Sequence, residues 1–434
     1  MNKKAEQLKI KESALKLFCI FLGVSLALQD VRFLGELFGP SAASFSGIVM
    51  LSALIVSRKD KCTGTLNLYI RELILVTALT SLILLTTQET FLFGETVWVK
   101  GLKVALSMAL LLTSLKYGQI FYILYKRLLA YIAFPYLVTI YLGVLLERIG
   151  LFPTIGKSFL HYTVNYTERP RGFATEPSTL GYSIIVAICI LALVNIKNSS
   201  WRRMLLFSIF ISGYVVTTSR GYIGSVALTV PFVLLLVLLK RIEWLNAKLT
   251  ATLITTFLLA QSVFIGLLLR SSLRTNFSRG TSDATREVWA QISLSGLSNT
   301  PFGAGYQGLI TAAPLYLKDY VQSNISRFSN SSLREMVFIY SQSGDFALSP
   351  KTITSLFVLT SGVFGVAFLF NIIYKTMYFS IQNKQVKFWE LLGIFLLIVS
   401  LLSYAGSLTS FAGFFLLGVC LERFKFSEKD TNVD

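Results

Sequence analysis

Few side chains in this sequence have the type and setting for chemistry. The stretch Arg169-Pro170-Arg171-Gly172-Phe173-Ala174-Thr175-Glu176-Pro177-Ser178 puts one carboxylate, Glu176, directly before a proline that opens an apolar run. Proline suits the first turn of a helix, and a carboxylate at that end gains from the helix dipole. Glu176 therefore reads as a helix cap or as a base acting on a hydroxyl. The single histidine, His161, lies in the same polar stretch and is the second candidate base. A lone histidine is more often structural. In Thr217-Thr218-Ser219-Arg220-Gly221, a turn between two apolar runs, Arg220 sits where it meets either lipid phosphates or a substrate anion. Arg286-Glu287-Val288-Trp289 is followed by Asn299-Thr300-Pro301-Phe302-Gly303-Ala304-Gly305-Tyr306, whose glycines permit close backbone approach.

The last two of these patterns border or lie within a region rich in arginine. Between 270 and 352 the cations are Arg270, Arg274, Arg279, Arg286, Lys318, Arg327, Arg334 and Lys351, against Asp283, Glu287, Asp319, Glu335 and Asp345. A guanidinium fork holds phosphate through two parallel hydrogen bonds, which lysine cannot do. The functional reading is a pyrophosphate or anionic-glycan site, with Arg169, Arg171, Arg220, Arg279, Arg286 and Tyr306 as binding residues. The plainer reading is a solvated loop face that touches lipid headgroups. No cluster with metal-ligand spacing is visible, so the expected cofactor is none, and arginines would offset developing negative charge.

The elements that must position these residues are apolar. Of 434 residues, 54% are hydrophobic and only 14% charged, far below the roughly 25% of a soluble domain. That excludes a soluble enzyme and a disordered chain. Long apolar runs, where a β-barrel would show alternation, exclude a barrel. A spanning helix needs about 20 apolar residues. Apolar windows fall at 15–30, 43–57, 70–87, 101–117, 128–147, 178–196, 203–218, 222–239, 249–269, 353–374, 388–404 and 407–421. The expected fold is an all-α polytopic membrane protein, 1–434 as one integral domain, with about twelve transmembrane helices. Two sizeable loops interrupt it, 150–177 and 270–352. The second lies between spans 9 and 10 and is too long to be structureless. It should carry short helices, one beginning near Ser282-Asp283 with Val288, Trp289 and Ile292 on a common face and ending at Pro301-Phe302-Gly303. The first span resembles a signal peptide, with Ser25-Leu26-Ala27 as a possible cleavage site, and reads as an uncleaved helix.

Orientation follows from charge. The net charge is +18, but the cations cluster in short loops between apolar runs, which is an orientation signal and not a nucleic-acid surface. One side gathers 24 of the 40 Lys and Arg residues, all in short segments, including Lys3, Lys61, Lys126, Arg127, Arg202, Lys387 and Arg423. Both termini should be cytoplasmic and both large loops outside. Spans nearly free of mid-membrane charge argue against an ion-driven pump. Of the four cysteines, no two share a long polar loop, so neither a disulfide framework nor a cysteine metal site is expected.

The motifs together resemble the O-antigen polymerase and ligase superfamily. Arg171-Gly172 followed by Glu176-Pro177-Ser178 looks like the Arg-x-Gly-x-x-x-Glu-Pro-Ser of Wzy-type O-antigen and capsule polymerases. Ser219-Arg220-Gly221 is similar to the Ser-Arg-Gly turn those polymerases share with O-antigen ligases. Arg286 with Trp289, then Pro301-Phe302-Gly303-Ala304-Gly305, resembles the outer-loop stretch of the family. The motifs cover about 50 residues. The resemblance implies a GT-C-like membrane glycosyltransferase of the bacterial cytoplasmic membrane, with its active site on the periplasmic face. It would transfer a growing glycan from undecaprenyl pyrophosphate to a sugar hydroxyl of another lipid-linked repeat. Partners would be those lipid-linked repeats, membrane lipids and a chain-length regulator, and no nucleic acid. Two departures stand out. The late-loop histidine of the ligases is missing, which favours the polymerase, and the paired Arg-x10-Gly pattern of some polymerases is missing too. A lipid-linked oligosaccharide flippase and an O-antigen ligase are the competing readings.

The topology has a direct check. A reporter active only in the cytoplasm should work when fused after Lys61 or Asp434 and fail when fused near Ser323. Activity at Ser323 would overturn the orientation.

Overall fold

The computed structural model describes residues 2–29, 91–92, 95–151, 170–174, 177–194, 199–217, 219–241, 246–272, 281–325, 352–383, 385–403 and 410–426, with helical positions 74, 77–79 and 81–82. Among the described residues the fold is helical, save a two-residue antiparallel pairing of β1 (Phe91–Leu92) with β2 (Glu95–Thr96). The helices are α1 (Asn2–Ala27), α2 (Val97–Tyr125), α3 (Ala130–Arg148), α4 (Pro177–Leu193), α5 (Ser199–Thr217) and α6 (Arg220–Arg241). They continue with α7 (Ala247–Ser272), α8 (Thr281–Asn299), α9 (Gly308–Ser323), α10 (Ile353–Gln382), α11 (Phe388–Ser403) and α12 (Phe411–Phe426). Every apolar window from 101 onward coincides with one of these helices, as does the first. The windows 43–57 and 70–87 lie largely outside the described residues.

Among the described residues four helices are long and apolar enough to cross a membrane: 97–128, 130–148, 221–238 and 353–382. The molecule is apolar outside as well as inside. Leu102, Val138, Met204, Val215 and Leu253 are each more than 60% exposed. In water such a surface would aggregate; against lipid tails it is matched.

Two helices organise the rest. α4 is walled in by α3, α5, α6, α11 and α12, and its run from Ile184 to Leu193 is buried throughout. α10 packs on α7, α8, α9, α11 and α12. Small residues let backbones close up, as they do where helices associate in lipid. A Cβ on Gly118 of α2 would strike the Phe415 carbonyl of α12, and one on Gly418 would strike the Leu115 carbonyl. The crossing is reciprocal, and Phe415 fills it against Phe121 at 5.7 Å and Tyr117 at 5.9 Å between ring centroids. Gly23 makes the same close approach to Ile132, joining α1 to α3.

The span at 353–374 differs from its expected straight course. α10 breaks at Gly362, whose φ of 56° and ψ of −134° suit only glycine. The chain doubles back there. Phe357 and Phe368 stack with centroids 5.5 Å apart, although eleven residues of straight helix would separate them by about 16 Å along the axis. The Pro301-Phe302-Gly303-Ala304-Gly305 turn fills the break. Ala304 N donates to Leu359 O at 2.8 Å and Gly305 N to Thr360 O at 3.1 Å, capping the first segment. Val363 N, the first donor of the second segment, donates to Pro301 O at 2.8 Å. Those are the backbone groups a helix break would otherwise leave unpaired. The sequence motif read as a helix breaker is thus also the cap of another helix's break. The second segment, 363–382, has the twenty residues that a straight crossing needs.

Gly150 and Gly362 separate conformation from crowding. Both have positive φ, but a Cβ on Gly150 has nothing within 4 Å, whereas one on Gly362 collides with Pro301 O and lies 2.5 Å from Gly303 N. Gly150→Ala should cost about 1–2 kcal/mol from the left-handed backbone alone. Gly362→Ala should cost clearly more, read as a larger drop in detergent-solubilised thermal midpoint. Equal drops would show that the turn does not seat in the break.

Candidate functional site

The first two sequence motifs come together at one end of the bundle. α4 begins at Pro177, as the proline implied. Ser219 is the N-cap of α6: Tyr222 N donates to Ser219 Oγ at 3.4 Å, and Ser219 N itself donates to Thr217 Oγ1 at 3.2 Å. Arg220 is therefore the first helical residue of α6. The two helix starts are in contact. A Cβ on Gly181 would lie 3.1 Å from Tyr222 Cβ and 3.3 Å from Ser219 Oγ. Tyr222 anchors the junction by donating to Phe210 O at 2.7 Å, with its ring packed on Gly213. Two neighbouring helix N-termini bring their positive dipole ends together, a setting that favours an anion.

The Arg-Gly half of the first motif is held by a residue that sequence reasoning passed over. Glu147, at the end of α3, accepts from Arg171 N and from Gly172 N, both at 2.7 Å on Oε2. Gly172 has φ +58° and is buried against Val144, so the two successive N–H groups form a nest for one carboxylate oxygen. Phe173 lies flat on Gly143, leaving no room for a side chain there. The helix dipole disfavours a carboxylate at a helix C-terminus; the two charge-assisted bonds explain why it sits there. An acid at the very end of an apolar run was the available signal. Tyr136 Oη donates to Ser183 O at 3.2 Å, and Tyr141 is hydrogen-bonded to Ser212, so α3 also ties to α4 and α5.

The third motif builds a separate hub. α8 starts at Thr281, close to the expected Ser282-Asp283, and Val288, Trp289 and Ile292 are buried on one face as the spacing implied. α8 packs on α7, α9 and α10. Ser355 Oγ donates to Trp289 O at 3.5 Å. Arg286 lies in the first half of α8. Tyr306 is half-buried beside the turn, its backbone N donating to Ser81 Oγ at 2.8 Å, and burial raises its hydroxyl pKa. Gln307 is buried and donates through Nε2 to Ser81 O at 2.7 Å. Glu176, His161, Arg169 and Arg279 lie outside the described residues. Of the sequence-derived site residues, the structure places Arg171 in the turn held by the end of α3, Arg220 at the start of α6, and Arg286 and Tyr306 on the α8–α10 hub.

These features define a helical protein with membrane-crossing segments and a polar, glycine-shaped end. No protein-family model, curated protein or solved structure matches the chain.

The Glu147 clamp has its own readout. A hydrogen bond to a charged group contributes about 1.5–3 kcal/mol, so Glu147→Ala should speed amide exchange in the 170–174 segment roughly 10- to 100-fold. Exchange at wild-type rates would mean that the turn holds its shape without the carboxylate.

Proposed function

We propose that this protein is a polysaccharide polymerase of the bacterial cytoplasmic membrane. It has about twelve spans in a GT-C-like arrangement, and it joins lipid-linked repeat units on the outer face. The reading rests on the resemblance of the three motifs to Wzy-type polymerases. The structural observation that supports it most is the pairing of the α4 and α6 N-termini. Glu176 immediately precedes one of them in the chain, and Arg220 opens the other. Such a junction suits a pyrophosphate leaving group. Glu176 would take the proton from the acceptor hydroxyl, with His161 as the competing base. Arg169, Arg171, Arg220, Arg279 and Arg286 would hold the donor pyrophosphate and glycan, and Tyr306 would line the path. Glu147 acts through the Arg171-Gly172 turn and is a positioning residue.

The bonds balance without a cofactor. The acceptor oxygen attacks the anomeric carbon of the growing chain. The bond from that carbon to the pyrophosphate oxygen breaks, and undecaprenyl pyrophosphate leaves as an anion.

A flippase for the same lipid-linked glycan is the second reading, and one observation favours it. Transporters build their sites from discontinuous helices, and α10 is discontinuous at Gly362. The glycan profile of a deletion strain separates the two. A lost ladder with a single repeat retained means polymerase; loss of every repeat means flippase or ligase.

Purified protein given lipid-linked repeats tests the residues. Arg220→Lys and Arg286→Lys keep the charge but lose the fork, and each should slow polymer formation roughly 100-fold. Glu176→Gln retains a cap but no base and should cost about 10²–10⁴ in rate. Near-normal polymer from the lysine variants would remove the pyrophosphate role. Near-normal polymer from Glu176→Gln would leave Glu176 as a cap only.

A further inference from the structure

The opposite end of the bundle holds a cavity that the proposed reaction does not use. It measures about 220 Å³ and opens among the ends of α2 and α4 and the starts of α5 and α11, closed by the end of α12. Thr354 Oγ1 of α10 donates to Leu402 O at the far end of α11, and the cavity begins at Lys387 and Glu390 at its near end. α11 itself has sixteen residues, a length of about 24 Å.

The lining is cationic. Lys126, Arg127, Arg202, Lys387 and Arg423 face it with one acid, Glu390. That acid is already engaged: it is buried, pairs with Arg423 at 3.4 Å and accepts from Lys387 N at 3.0 Å. Arg202 carries the argument furthest. Arg202 is only 8% exposed, Nη1 caps α4 by donating to Val194 O at 3.1 Å, and Nε is buried with no partner among the described residues. A buried guanidinium N–H without an acceptor is costly. Arg202 also lines the cavity beside four further cations, and the one acid there is already engaged, so the lining as a whole calls for an anion.

The flanks identify its source. Ile123 and Leu124, next to Tyr122 and Lys126, are exposed, and so are Trp201 and Met204 beside Arg202, at 69% and 67%. A free phosphate has no use for an apolar rim. A lipid has, because its acyl chains would lie on that rim while its headgroup enters the cavity.

The geometry points to a binding site for the phosphate headgroup of an anionic membrane phospholipid in this cavity, with Arg202 as its buried ligand and Lys126, Arg127 and Lys387 at the mouth. Basic pockets between spanning helices on the cytoplasmic side bind such headgroups. All five cations fall on the side read as cytoplasmic from charge alone. The site is independent of the polymerase reading, and its test needs no enzymatic activity.

The test is binding to the full chain in detergent, read by native mass spectrometry and thermal stabilisation. The probes are phosphatidylglycerol, phosphatidylcholine and inorganic phosphate. Phosphatidylglycerol should bind about 10-fold more tightly than phosphatidylcholine. Lys126→Gln/Lys387→Gln changes only exposed residues, so folding is preserved, and it should remove most of that preference. Arg202→Lys keeps the charge but cannot both cap Val194 and reach the cavity, and should weaken phosphatidylglycerol in the same direction. Equal binding of the two lipids by the wild type, or an unchanged preference in the Lys126→Gln/Lys387→Gln variant, would overturn the site. Stabilisation by inorganic phosphate equal to that by phosphatidylglycerol would overturn the lipid as its source.

Discussion

Backbone amides in an apolar surrounding must find partners within the protein, and this constraint shapes the region around Gly362. A helix that stops inside the bundle strands its last carbonyls and its successor's first N–H groups. Here a turn from a different part of the chain supplies both. Ala304 N and Gly305 N meet the carbonyls of Leu359 and Thr360, and Pro301 O meets Val363 N. The three glycines at 303, 305 and 362 all take positive φ, because two backbones can approach this closely only where no Cβ intervenes. α8 and α9, the helices either side of the turn, are thereby pinned to α10. The hub of α8, α9 and α10 exists because its connector completes another helix's hydrogen bonding.

The other hub works by a gentler version of the same rule. At the α6 start the N–H groups of Ser219 and Tyr222 are served by side chains, Thr217 Oγ1 and Ser219 Oγ, and Glu147 serves the turn at the end of α3. At the far end of the bundle Arg202 does the converse for α4, serving the Val194 carbonyl. One helix, buried along most of its length, thus has both ends committed to charged chemistry.

Much of the fold was legible in the sequence because apolar run length speaks to helices directly. The starts of α4 and α8, the buried face at Val288, Trp289 and Ile292, and the stop at Pro301 all follow from local rules. The break at Gly362 did not. Thr360-Ser361-Gly362 interrupts an apolar window only weakly, and its partner turn lies some sixty residues away. Nor could one read that Thr77 and Ser361 share a 2.7 Å hydrogen bond. Glu147 and Arg202 escaped notice for a related reason. At the ends of apolar runs, charged residues look like interfacial anchors, and only tertiary placement shows one gripping a turn and the other buried with a vacant N–H.

The reciprocal glycine contact between α2 and α12 bears on how the molecule is made. Gly118 and Phe415 are roughly 300 residues apart in the chain. A ribosome adding about 5–20 residues per second needs some 15–60 s to cover that distance. Throughout that interval α2 sits in the bilayer with its glycine groove empty, while most of the later helices arrive. Closure of this pair therefore waits for α12, and a nascent chain released shortly before Phe411 would carry α2 without the helix that packs on Gly118.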